Sequence, residues 1–292
     1  MDNRYMNLDR KPQLERPIMV IAFTGWNDAA EASSLALKTM GEAWEAESFG
    51  SFDSEEFFDF QVTRPQIQLV EGVTRDIQWP ENVLRATESA PEATGGRGVV
   101  LVSGPEPNLR WKTFSNAVVE LAREMNVELI VTLGALLADV PHSRPVSVAA
   151  NSQDPELVEG LDLTPSRYEG PTGLTGALHR ICADSGIPSV SFWASTPHYL
   201  PAVPSAPAAI ALLERFRDLT GISVDTSDLD RNAGDYQEQI SAAVSRDSDL
   251  ASYVQMLEER YDSQAEGARD LPSGDDLAQE LEDFLRDQRD DE

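Results

Sequence analysis

Residues 17–23 read PIMVIAF, a proline followed by six apolar residues without a polar break. A run of that kind suits a strand buried on both faces, and such strands belong to parallel sheets covered by helices. The pattern then changes period. AAEASSLALKTMGEAW (29–44) reads as a helix. The same alternation recurs downstream. GVVLVSG (98–104), ELIVTLG (128–134) and IPSVSFWAS (187–195) are further buried-strand runs. Between and after them lie the helical stretches WKTFSNAVVELAREMNV (111–127), TGLTGALHRICADSG (172–186) and PSAPAAIALLERFRDLTG (204–221). In the first of these, Phe114, Val118, Leu121 and Met125 fall on one helical stripe. Shorter strand candidates are SFGSFD, IQLVEG, TRDIQWP and PVSVAA. The alternation predicts an α/β fold with a mostly parallel sheet covered on both faces. Eight βα repeats do not fit, and no G-x-G-x-x-G follows a strand, which excludes a barrel and a dinucleotide fold.

Composition divides the chain. Over all 292 residues, Lys and Arg number 23 and Asp and Glu 51, a net charge of −28. Residues 223–292 hold 21 acidic and 6 basic side chains, so this stretch alone carries −15. The expected organisation is an N-terminal tail at 1–14, an α/β core at 15–222 and an acidic helical extension at 223–292 with a linker near 262–274. Within the extension, Leu229, Tyr236, Ile240 and Val244 form one apolar stripe, and Leu250, Val254, Leu257 and Tyr261 another. A last helix is expected over DDLAQELEDFLRDQR, with Leu277, Leu281, Phe284 and Leu285 as its stripe.

The same numbers narrow the function. A field of this sign repels a phosphate backbone and anionic lipid, so neither nucleic acid nor membrane is expected as a partner. Solubility is the first reading of the charge, and steering toward a basic protein surface is the second. No apolar stretch is long enough to span a bilayer, and the N-terminal residues lack a secretory signal's apolar region. One cysteine, Cys182, cannot form an internal disulfide, which points to the reducing cytoplasm. Its helical position faces inward, as a core thiol would; a nucleophile is the alternative.

Ligands of open parallel sheets collect in the loops beyond the strand C-termini. The first such loop, FTGWNDAAE (23–31), offers Gly25, Trp26, Asn27 and Asp28. Capping of the next helix by Asn27 or Asp28 is the first reading, and a polar-ligand site at that helix start is the other. In SGPEPNLRW (103–111), two prolines stiffen a loop that carries Glu106, Asn108, Arg110 and Trp111. VTLGALLADVPHSRP (131–145) gathers Gly134, Asp139, His142 and Arg144, where an Asp/His pair with an Arg suits acid–base work on an anion. His198 and Tyr199 sit between prolines in FWASTPHYLP. Glycines in YEGPTGLTG (168–176) allow either phosphate cradling or close helix packing. The three histidines lack metal-ligand spacing, and no P-loop, G-x-S-x-G or C-x-x-C occurs, so no cofactor or metal is expected.

Taken in order, IAFTGWNDAAEAS, GPEPNLRW, VTLGALLADVPHSRPV, YEGPTGLTGAL and FWASTPHYLPAVPSAPAA resemble the proteasome assembly chaperone 2 family in its actinobacterial branch, over roughly residues 15–222. The resemblance implies a phosphorylase/hydrolase-like three-layer α/β/α sandwich with a mostly parallel or mixed sheet. It also implies self-association and a non-catalytic, protein-binding role with proteasome α-subunits as partners. The binding surface would comprise Gly25, Trp26, Asn27, Asp28, Glu106, Asn108, Arg110, Trp111, Gly134, Arg144, His198 and Tyr199. The sequence ends RDQRDDE, so the hydrophobic–Tyr–variable docking tail of some archaeal relatives is not expected. The competing expectation is a small-molecule hydrolase or phosphorylase with Asp28, Glu106, Asp139 and His142 as its acid–base groups.

Overall fold

The computed structural model describes residues 4–70, 74–88, 96–158 and 170–269. Among the described residues, ten strands are defined. They are β1 (Met6–Leu8), β2 (Ile18–Thr24), β3 (Glu47–Phe52), β4 (Gln66–Val70), β5 (Thr74–Gln78), β6 (Val83–Thr87), β7 (Val99–Pro105), β8 (Leu129–Ala138), β9 (Val148–Ser152) and β10 (Ser189–Pro197). The helices are α1 (Ala32–Ala43), α2 (Ser54–Phe57), α3 (Trp111–Glu124), α4 (Leu174–Asp184), α5 (Ala206–Thr220), α6 (Ser227–Val244) and α7 (Ser248–Arg269).

Eight strands form one mixed sheet in the order β1-β3-β6-β7-β2-β8-β10-β9. Its centre, β7-β2-β8-β10, is parallel throughout and uses the four continuous apolar runs. The flanking pairs are antiparallel. Strands β4 and β5 form a separate two-stranded hairpin.

Side-chain alternation along β2 divides the core between the two sheet faces. Ile18, Val20 and Ala22 pack in a cluster with α1 and α5, where Ala36, Met40, Leu212 and Phe216 are fully buried. Met19, Ile21 and Phe23 join the other cluster with α3 and α4, centred on Phe114, Leu178 and the ring of Phe57. Three layers result, each interface closed by apolar side chains whose full burial contributes roughly 1.5–3 kcal/mol apiece. The α/β/α sandwich expected from the sequence is therefore present.

The chain divides into two compact units, Met1–Ile240 and Ser241–Glu292. The first unit continues past the composition break near residue 222 because Ile222 and Leu229 pack in the cluster of α1 and α5. It also takes in part of the expected N-terminal tail, since Met6 pairs with Phe52 in the sheet. In the second unit, α7 runs through Arg269, so residues 262–269 are helical where a linker was expected. Gln264, Ala265, Glu266 and Ala268 favour helix, and one glycine at 267 costs only about 1 kcal/mol. The remainder of the expected linker and the expected last helix, with Leu277, Leu281, Phe284 and Leu285, lie outside the described residues. No described helix is long and apolar enough to cross a membrane.

Candidate functional site

Loops beyond the C-termini of β2, β7, β8 and β10 form the site. The β2–α1 loop opens at Gly25, whose φ of 115° only glycine adopts readily. Ala30 and Glu31 are left-handed as well, both with φ of 52°. Such non-glycine residues each cost roughly 1–2 kcal/mol. Asp28 offsets that cost. Its Oδ1 accepts from the Ser33 amide at 2.9 Å, the Ser33 hydroxyl at 2.6 Å and the Ser34 amide at 3.1 Å. The backbone of the loop is pinned at two further points, from the Ala135 amide to the Asn27 carbonyl and from the Ser205 amide to that of Ala30, each 2.8 Å. Trp26, at the turn, is 72% exposed.

Asn27 is 1% exposed and points the other way. Its amide donates to Glu106 Oε1 at 2.7 Å, and the same oxygen accepts from the Leu174 backbone amide at 2.8 Å. Glu106 therefore closes the start of α4, where a carboxylate complements both the free amides and the helix dipole. A Cβ on Gly173 would stand 2.9 Å from Glu106 Oε1, so the glycine permits this approach. Of the two readings of YEGPTGLTG, close packing is the one this contact supports; Tyr168 and Glu169 lie outside the described residues.

The rest of the β7–α3 loop turns toward residues 54–63. Asn108 Oδ1 accepts from the Asp59 amide at 3.2 Å and from the Thr63 hydroxyl at 2.9 Å. Arg110 pairs with Glu56, and its guanidinium lies 5.4 Å from the ring centroid of Tyr5. Trp111 donates from Nε1 to the Pro107 carbonyl at 2.5 Å.

The β8 and β10 ends form a second cluster. Asp139 pairs with His198, Oδ1 to Nδ1 3.3 Å, a partner the sequence did not indicate. The cause is register: β8 and β10 stay paired to Ala138 and Pro197, and the His198 amide then donates to the Ala138 carbonyl at 3.1 Å. His142 meets Tyr199. The His142 backbone amide donates to the phenolic oxygen at 2.9 Å, and Nδ1 lies 2.8 Å from it. His142 and Arg144 line a cavity of about 10 Å³, the room of a single water, and neither Asp28, Glu106 nor Asp139 lines it. Gly134 faces Trp193 across the sheet, where an added Cβ would fall 2.8 Å from the indole.

Asp28 bonds to α1, Glu106 to Asn27 and α4, Asp139 pairs with His198, and His142 bonds to Tyr199. One buried histidine missed as a network is His179. It is hydrogen-bonded through Nε2 to Thr132 Oγ1 and through Nδ1 to Ser189 Oγ, each at 2.8 Å, and burial lowers its pKa to about 4. Its only sequence signal was a histidine on the inward stripe of α4. Among the described residues, no group of three or more His, Cys, Asp or Glu is placed to hold a metal ion.

A three-layer sandwich with a parallel centre and a rim of stiffened loops defines the class. The sequence matches the PAC2 family over residues 22–244. It is 42% identical to a PAC2 family protein from Streptomyces avermitilis, a match that covers 82% of this chain and 99% of that one with a TM-score of 0.75. It is 40% identical to the proteasome-assembly chaperone homologue of Mycobacterium tuberculosis, covering 81% and 99% with the same TM-score. An archaeal proteasome activator from Pyrococcus furiosus shares the fold at 17% identity, with a TM-score of 0.64 over 82% of this chain and 97% of that one. The chain belongs to the PAC2 family. No curated protein matches the sequence.

Proposed function

We propose that the protein is a cytoplasmic, self-associating protein-binding protein that acts as a proteasome-assembly-like chaperone through the loop rim of its core. The observation that carries this reading is the contrast within one loop. Asp28 spends its oxygen on α1, whereas the adjacent indole of Trp26 is left to solvent. Exposed Leu136 and Leu137, at the end of β8, add apolar surface to the rim. Exposed tryptophan with aliphatic neighbours is the residue pattern of interface anchors. The mycobacterial relative is described as a proteasome-assembly chaperone homologue, which supports a proteasome-related partner, for which we take the α-subunits. The net charge of −28 would steer a basic partner surface toward the protein. The test is capture of 20S proteasome subunits by wild type and Trp26→Ala. We expect at least a tenfold loss in the variant, a usual cost for an anchor; equal capture, or none by wild type, overturns the reading. Arg110→Ala is a poor probe because Arg110 is engaged within the fold by Glu56.

A hydrolytic reading rests on one observation, the juxtaposition of Asp139 with His198 and of His142 with Tyr199 at the strand ends. A hydrolase screen on wild type and His142→Ala decides it: turnover abolished in the variant would favour catalysis.

A further inference from the structure

The β4–β5 hairpin stands outside the main sheet, and among the described residues no third strand joins it. Ile67 pairs with Ile77, and Leu69 with Arg75, so these side chains share one face of the hairpin. Ile67 and Leu69 are 63% and 64% exposed, and Ile77 is exposed too. A two-stranded hairpin is marginal in water without a surface to cover it. At its base lies a groove of about 560 Å³, within the range of ligand sites, formed where the hairpin meets the start of α2. Phe60 and Trp79 build one wall, their ring centroids 4.8 Å apart. Asp53, Glu55 and Glu81 supply carboxylates to the same groove, and among the described residues no lysine or arginine lines it. Asn108 fixes the platform beneath through Asp59 and Thr63.

Aromatic faces attract cations, and carboxylates beside them strengthen that preference. The strand edges add unpaired backbone donors and acceptors to which an extended segment can pair, its apolar side chains falling on Ile67, Leu69 and Ile77. We propose that this groove and hairpin face together receive an extended, Lys- or Arg-bearing segment of a partner protein, with a cationic side chain against Trp79 and between the carboxylates. The proposal rests on the protein-binding reading above and gives it a second surface with its own chemistry. Charge selects a foreign basic segment over a second copy of this chain, which carries −28.

The probe is a dye-labelled octapeptide of alternating Lys and Val, with an alternating Glu and Val peptide as control, titrated against the full chain by fluorescence anisotropy. The Lys peptide should bind and the Glu peptide should not, with affinity falling as salt rises. Trp79→Ala should weaken binding about 5- to 30-fold. The double variant Glu55→Gln/Glu81→Gln preserves size on exposed positions and should weaken binding about tenfold while flattening the salt dependence. Binding indifferent to both variants is adhesion to an acidic surface and overturns the proposal. So does complete displacement by spermine at equal amine concentration, which marks a small-cation site, or a change in sedimentation of the Trp79 variant alone, which marks a contact between copies. If 20S capture depends on Trp26 while peptide binding ignores Trp79, the groove fails and the rim reading stands. Groove-dependent peptide binding without any 20S capture fails the reading instead.

Discussion

A single oxygen of Glu106 joins the Asn27 side chain to the Leu174 backbone, at 2.7 and 2.8 Å. The bond network makes this carboxylate an organiser of three loops. Glu106→Ala leaves the buried Asn27 amide and a helix-terminal amide without a partner, and should lower unfolding free energy by roughly 2–3 kcal/mol. Glu106→Gln keeps the acceptor and loses the charge, so about 1 kcal/mol is expected. Urea denaturation followed by circular dichroism distinguishes the two. Equal midpoints for wild type and Glu106→Ala would remove the organising role.

Asp28 holds the left-handed turn at Ala30 and Glu31 through three hydrogen bonds to Ser33 and Ser34. Asp28→Ala should destabilise the chain by about 2–3 kcal/mol, since the cap is lost and the turn strain remains. The same variant should increase amide exchange at Ser33 and Ser34, measured by hydrogen–deuterium exchange.

His179 supplies a pH signature. Its pKa falls from 6.5 when unfolded to about 4 when folded, chiefly through burial. Between those values the unfolded chain binds a proton that the native chain does not, so stability drops as pH falls from 6.5 toward 4. The loss from this group reaches about 3 kcal/mol near pH 4 and levels off only as pH falls below that folded value. His179→Gln should remove that part of the pH dependence. Denaturation midpoints of the two proteins at pH 7 and pH 5 test it, and parallel shifts would refute the assignment.

Cys182 lies on the same inner face of α4, with its thiol pKa pushed by burial to about 12. An aromatic disulfide reagent at pH 8 should leave it unmodified in the native protein and titrate one thiol per chain in guanidinium. Fast native labelling would mean that α4 opens readily.

The central strands were legible because burial on both faces demands uninterrupted apolar residues, as in PIMVIAF. Strand β6 was not, because Val83–Thr87 includes Arg85, which reaches Ser103 Oγ at 2.9 Å and so tolerates a charge in the sheet. Strand β1 has only three residues, and its pairing with β3 depends on contacts far along the chain. The loops of the site were visible from their prolines and glycines, but their partners were not. Asn27 finds Glu106, and Asp139 finds His198, because β7-β2-β8-β10 is the strand order, a property no local period encodes.

Strand order also sets a sequence of events during synthesis. Asn27 emerges from a ribosome long before Glu106, and Glu106 well before Leu174, yet all three share one oxygen. Until α4 has been made, the carboxylate lacks its helix and the turn bearing Trp26 lacks its backing. Closure of so distant a loop is slow and cooperative with the sheet. The rim is therefore completed only late in synthesis, after α4 and then Tyr199 and Ser205 have been added.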